Sequence, residues 1–88
     1  MFIYSNLSID SAIPIQEILD YFAEIGAERS PNDTYLFNGL EFEVISYESE
    51  ISPSFSIPRH NITVLTGNRT AAENFLTNFR LRFLSAGG

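Results

Sequence analysis

Tyr35-Leu36-Phe37-Asn38-Gly39-Leu40-Glu41-Phe42-Glu43-Val44 is the stretch whose reading decides the fold. Asn-Gly between two apolar runs is the strongest short-range signal for a β-hairpin, because a type I′ turn needs positive φ at both central residues. Two antiparallel strands are therefore expected here, the second reaching Tyr47 or Glu48. Its alternation slips at Val44-Ile45, where a bulge or burial of both faces is expected.

Upstream, Phe2-Ile3-Tyr4 is aromatic and β-branched and reads as a short first strand. Residues 10–26 then read as a helix. Ile15, Ile18, Leu19, Phe22 and Ile25 form one apolar stripe, with Glu17, Asp20 and Glu24 on the other side. Asp10 or Ser11 suits the start, Pro14 fits only the first turn, and Gly26 fits the position just past the end. Residues 29–33 read as a loop.

Downstream of the hairpin, residues 49–60 contain Pro53 and Pro58, which argue against a helix interior or a central strand. Ile51, Phe55 and Ile57 nevertheless alternate with Ser52, Ser54 and Ser56. An extended segment is expected, either folded back on the domain or meeting a partner. Ile62-Thr63-Val64-Leu65 forms a last strand closed by Gly67. Thr70-Ala71-Ala72-Glu73 has the form of a capping box. After it, Ala72, Phe75, Leu76, Phe79 and Phe83 share one helical face. Phe79-Arg80-Leu81-Arg82-Phe83 also alternates as a strand would, and the helix is the favoured reading.

The order is thus β-α-β-β-β-α. A single α+β domain over residues 1–88 is expected, with an antiparallel sheet and both helices on one face, a layout close to a ferredoxin-like sandwich. At 44% hydrophobic residues the chain has the material for a core, and disorder is excluded.

Composition narrows the function classes. Cysteine is absent, which removes disulfides, thiolate metal sites and cysteine nucleophiles. Lysine is absent too, which removes Schiff-base chemistry and a lysine-bearing phosphate loop. The net charge of −6 divides into −9 over residues 1–50 and +3 over residues 51–88. That balance argues against nucleic acid as a partner. No apolar run is long enough for a membrane span, and residues 1–7 lack the charge and apolar core of a signal peptide, so a cytoplasmic location is expected.

Few residues bear chemistry. Glu41 and Glu43 share a strand face but match no calcium loop, and with Glu48 and Glu50 they read as a solvated surface. His60, the single histidine, reads as a surface residue at a strand start, without a nucleophile or metal partners to serve. Four Asn-x-Ser/Thr sequons, at Asn6, Asn32, Asn61 and Asn68, read as turn and helix-start residues. Arg80 and Arg82 sit among phenylalanines and are expected to face carboxylates of the acidic half. No catalytic set, metal or cofactor is expected.

The sequence closes on Ser85-Ala86-Gly87-Gly88. This Gly-Gly resembles the tail of ubiquitin-like and sulfur-carrier proteins, in which a terminal glycine carboxylate is activated by adenylation. The resemblance covers Gly87 and Gly88 and, were it a strand, the alternating stretch from Phe79 to Phe83. The chain departs from that pattern in placing one strand before its main helix where those folds place a hairpin.

The leading expectation is a non-enzymatic module that works by protein contact, with itself or another protein, as a homo-oligomer. Ile51, Phe55 and Ile57 are its expected contact residues, together with Arg80 and Arg82. The alternatives are a carrier acting through Gly87-Gly88, or an acidic inhibitor of a basic nucleic-acid-binding protein.

Overall fold

The computed structural model describes residues 7–84, and in it Asn38 and Gly39 both take positive φ, 51° and 79°. This is the type I′ geometry that the Asn-Gly pair predicts. The turn joins β3 (Tyr35–Phe37) to β4 (Leu40–Ser52). The remaining elements are β1 (Ser8–Ser11), α1 (Ile15–Ile25), β2 (Glu28–Arg29), β5 (Phe55–Thr66) and α2 (Arg69–Leu84). The strands form one sheet in the order β1-β5-β4-β3-β2, and every pairing is antiparallel.

Phe42 locates the helices. Its ring lies 5.0 Å from Phe22 of α1 and 4.5 Å from Phe75 of α2, so both helices cover the same face of the sheet. The expected α+β layout holds. The α2 stripe is buried as its spacing requires: Ala72, Phe75, Leu76, Phe79 and Phe83 all lie in the core. The last element is therefore a helix. Of the α1 stripe, Ile18 and Phe22 are buried and Leu19 and Ile25 pack at its margin, while Ile15 faces solvent. Tyr21 joins the core instead, with its ring 5.7 Å from both Phe79 and Phe83.

Several local expectations are corrected. The strand read at residues 2–4 lies outside the described residues, and the strand seen before α1 is β1. Asp10 and Ser11 belong to that strand and cap nothing. The Ser11 hydroxyl accepts from the Ile13 N–H at 3.0 Å, turning the chain toward Pro14. Pro14 then occupies the cap position, and its carbonyl accepts from Glu17 and Ile18. The end of α1 follows expectation. Gly26 is left-handed (φ 86°), and bonds from Gly26 to Ala23 and from Ala27 to Phe22 close a Schellman motif.

At α2 the cap is Asn68, not Thr70: its Oδ1 accepts from the Ala71 N–H at 3.1 Å. Glu73 pairs with Arg69 rather than completing a capping box. Arg29 lies in a strand rather than a loop, paired with Tyr35, and a knot of hydroxyls holds the turn that follows it. Ser30 Oγ accepts from the Asn32 N–H and lies 2.6 Å from Thr34 Oγ1, which donates to Glu41 at 2.7 Å.

The β4–β5 register is unbroken at Val44-Ile45. It shifts between Glu41 and Phe42, where Leu65 is the extra residue of β5, and again near the hairpin tip, where Ile51 is the extra residue of β4. Pro58 lies inside β5 opposite Glu48, so the extended segment expected here is a strand, though not a central one. It is tolerated because β1 pairs with β5 only from His60 onward, leaving residues 55–59 at an edge among the described residues.

Two predictions follow from this packing. At Gly67 (φ 136°) an added Cβ would fall 2.5 Å from Leu40 Cδ2 and 3.1 Å from the Gly39 carbonyl. Gly67→Ala should therefore cost more than about 2 kcal/mol in urea unfolding, since strain and overlap combine with no room to relax around buried Leu40. Burial, and then the nearby Glu24 carboxylate, push the Tyr21 hydroxyl above its ordinary value of 10.0, with Arg82 opposing. The folded state thus keeps a proton that the unfolded state releases. Its contribution should be complete below pH 10.0 and lost as pH rises through the higher folded value. Urea midpoints across that range should fall less in Tyr21→Phe than in the parent chain.

Candidate functional site

The helices cover β4 only as far as Val44. Beyond it, residues 47–52 and 55–59 pair only with each other among the described residues, forming a two-stranded arm. The molecule accordingly measures 44 Å in its longest direction against 25 and 23 Å in the others. Pro53 and Ser54 make the two-residue tip. Neither has positive φ, so the tip is not the hairpin-matched turn of Asn38-Gly39. A turn with Pro at its first central position suits ordinary negative φ but twists against the strands, and the extra residue Ile51 beside it absorbs the mismatch.

The five predicted contact residues fall into two groups. Ile51 and Phe55 stand at the arm's tip, 59% and 57% exposed, and Ile57 is half-buried farther along. Arg80 and Arg82 lie on α2, away from the arm. Arg82 reaches Glu24 of α1 with two contacts of 3.4 Å, so it ties the helices together. Arg80 lines a small groove between α2 and β1, with Leu7, Ser8 and Ile9 opposite, and forms no ion pair among the described residues. The arm and the arginines do not form one site.

His60 is not the surface residue its position suggested. It is 5% exposed, sitting between Ser11 of β1 and Ser46 of β4, with Nδ1 2.7 Å from Ser46 Oγ. Serine and histidine at that distance have the spacing of a nucleophile and its base. No carboxylate bonds the ring among the described residues, and the pair acts as a polar joint where three strands meet at the end of the core. Periodicity could have found this: His60 shares parity with buried Ile62 and Val64.

On the uncovered sheet face, Asp10 Oδ1 accepts from Tyr47 at 3.0 Å and from Asn61 at 3.3 Å, fastening β1 to the root of the arm. A depression of about 450 Å³ between the Asn38 turn and the start of α2 is lined by Asn38, Asn68, Asn74 and Asn78. It offers amide donors and acceptors but no ionisable group. Among the described residues no three His, Asp or Glu side chains gather to hold a metal ion, and no helix is long and apolar enough to cross a membrane.

Residues 85–88 follow directly on α2 and lie outside the described residues. α2 is held against α1 almost to its end, by Phe83 beneath Tyr21 and by Arg82 on Glu24. One strand precedes α1 among the described residues.

No curated protein and no solved structure matches the chain. The model of one family, described as archaeal MoaD-like protein, matches residues 8–88, nearly the whole chain and both terminal glycines. The chain belongs to the archaeal MoaD-like family.

Proposed function

We propose that this protein is a ubiquitin-like, sulfur-carrier-type protein whose working group is the carboxylate of Gly88. The observation that carries the reading is the family match, which runs through Gly87-Gly88 to residue 88. The chemistry asks little of the carrier itself. A carboxylate oxygen of Gly88 attacks the α-phosphorus of ATP on an activating enzyme, and pyrophosphate leaves. Hydrosulfide then attacks the acyl carbon of the adenylate, the new C–S bond forming as the C–O bond breaks and AMP leaves, which gives a thiocarboxylate. Glycine suits the tail because two residues without side chains fit a narrow channel and adopt backbone angles closed to others. The folded domain serves as the handle that an activating enzyme grips. That division of labour fits a chain without a triad, metal set or phosphate loop among its described residues.

A second reading is favoured by the arm. Two large apolar side chains, Ile51 and Phe55, stand exposed at the end of a projecting ribbon, an arrangement suited to protein contact, including self-association. The two readings are compatible, since a carrier must dock on each protein it meets.

Two measurements test them. With ATP and an adenylating enzyme for ubiquitin-like carriers from the same source, the full chain should support exchange of pyrophosphate into ATP. Deleting Gly88 should abolish that exchange, and undiminished exchange by the truncated chain would overturn the carrier reading. Light scattering after size exclusion, at two concentrations, should report an oligomer that weakens in the double variant Phe55→Ser, Ile57→Ser. An oligomer untouched by these changes would remove the arm from the interface.

A further inference from the structure

β3 pairs with β4 only at Leu40, Glu41 and Phe42, whereas β5 follows β4 along its other side to Ser52. Among the described residues, β4 therefore has a free edge over residues 43–52. In an antiparallel strand, alternate residues direct their N–H and C=O groups to each side, so half of this stretch offers unused ladder groups. Such an edge is a template for another strand.

The arm's two edges are not equivalent. The edge of β5 contains Pro58, which has no N–H and interrupts any added ladder. The edge of β4 contains no proline over residues 43–52; it contains Glu43, Glu48 and Glu50 and no arginine. None of the three is in an ion pair among the described residues, and Glu48 only accepts a hydrogen bond from Ser56 at 3.0 Å.

That acidic edge discriminates between occupants. Two copies paired edge to edge would place six glutamates along one ribbon with no positive side chain from either β4 strand, and like charges in neighbouring strands destabilise a sheet. A strand bearing arginine or lysine would instead meet opposite charge at the same positions. Ile45 and Tyr47, 51% and 42% exposed, share the uncovered face of this edge with Glu43 and offer apolar surface there, while Glu48 and Glu50 stand on the opposite face.

We propose that the free edge of β4, residues 43–52, receives an extended basic segment of a partner protein as an added antiparallel or parallel strand. Backbone bonds supply the affinity, and Glu48 and Glu50 select the charge. This goes beyond the carrier reading and does not use Gly88, so the two stand or fall separately.

The test is titration of the isotope-labelled full chain with an alternating arginine–valine heptapeptide, followed by amide chemical shifts and hydrogen exchange. Shift changes and slowed exchange should concentrate in residues 43–52. Replacing the peptide's arginines with glutamates should abolish binding, and so should N-methylation of alternate peptide bonds, which keeps the charge but removes the ladder. The double variant Glu48→Gln, Glu50→Gln changes two exposed side chains, so the fold is retained, and it should bind roughly fivefold more weakly at low salt. Equal binding of the N-methylated peptide would reduce the effect to plain electrostatics and overturn the proposal. So would shifts centred on the helices, no binding at all, or concentration-dependent pairing of residues 43–52 without peptide.

Discussion

The rest of the structure depends on the contact of Phe42 with Phe22 and Phe75. Phe42 is fully buried, and through it β4 meets both helices at once. Tyr35 of β3 stacks on the same ring, with centroids 5.7 Å apart and planes 17° apart, so the Asn38-Gly39 hairpin is fastened to the helices at this point too. A domain of 88 residues has room for one such centre, and about 60–65% burial of its unfolded surface leaves little in reserve. The register shift beside Phe42 belongs to this centre. With Leu65 as an extra residue in β5, Val64 comes opposite Phe42 and both side chains enter the core.

Around that centre, polar contacts hold the margins. The acidic first half and the arginine-bearing second half meet at Glu24 and Arg82, an exposed pair that adds orientation more than energy. The Ser30–Thr34–Glu41 chain of hydroxyls and carboxylate holds the turn between β2 and β3, and Ser46 with His60 closes the far end of the core. Asp10 bridges β1 to the arm through Tyr47 and Asn61.

Where the cover ends, the same strands acquire a different use. The arm has no helix on either face, so its side chains are released from the requirement to pack, and its edge is released from pairing. A folded handle, a glycine tail and an uncovered ribbon are separate parts of one small chain. The proposed carrier role uses the folded body as a handle and Gly88 as the reactive end, and the proposed strand docking uses the ribbon.

Sequence by itself determined much of this. Asn38-Gly39 dictated a hairpin because few other residues accept positive φ twice in succession, and Ala72, Phe75, Leu76, Phe79 and Phe83 described a helix face that the core then buried. Gly87-Gly88 was legible as a carrier-like tail because it is a motif of composition and needs no neighbours to be seen. Ile51 and Phe55 were legible as apolar residues on a stretch bounded by prolines. What only the tertiary structure decided were the matters that depend on partners distant in sequence. Pro58 reads as a strand breaker until the neighbouring strand proves to stop at His60, and Asp10 and Ser11 read as helix caps until β5 claims them as an edge strand. Asn68 displaced Thr70 as the cap because helix phase is set by burial of Ala72 and Phe75, not by the hydroxyl. The free edge of β4 was invisible for the same reason: a strand's sequence records which faces it buries, whereas its hydrogen-bonding edges carry the same backbone atoms whatever lies beside them.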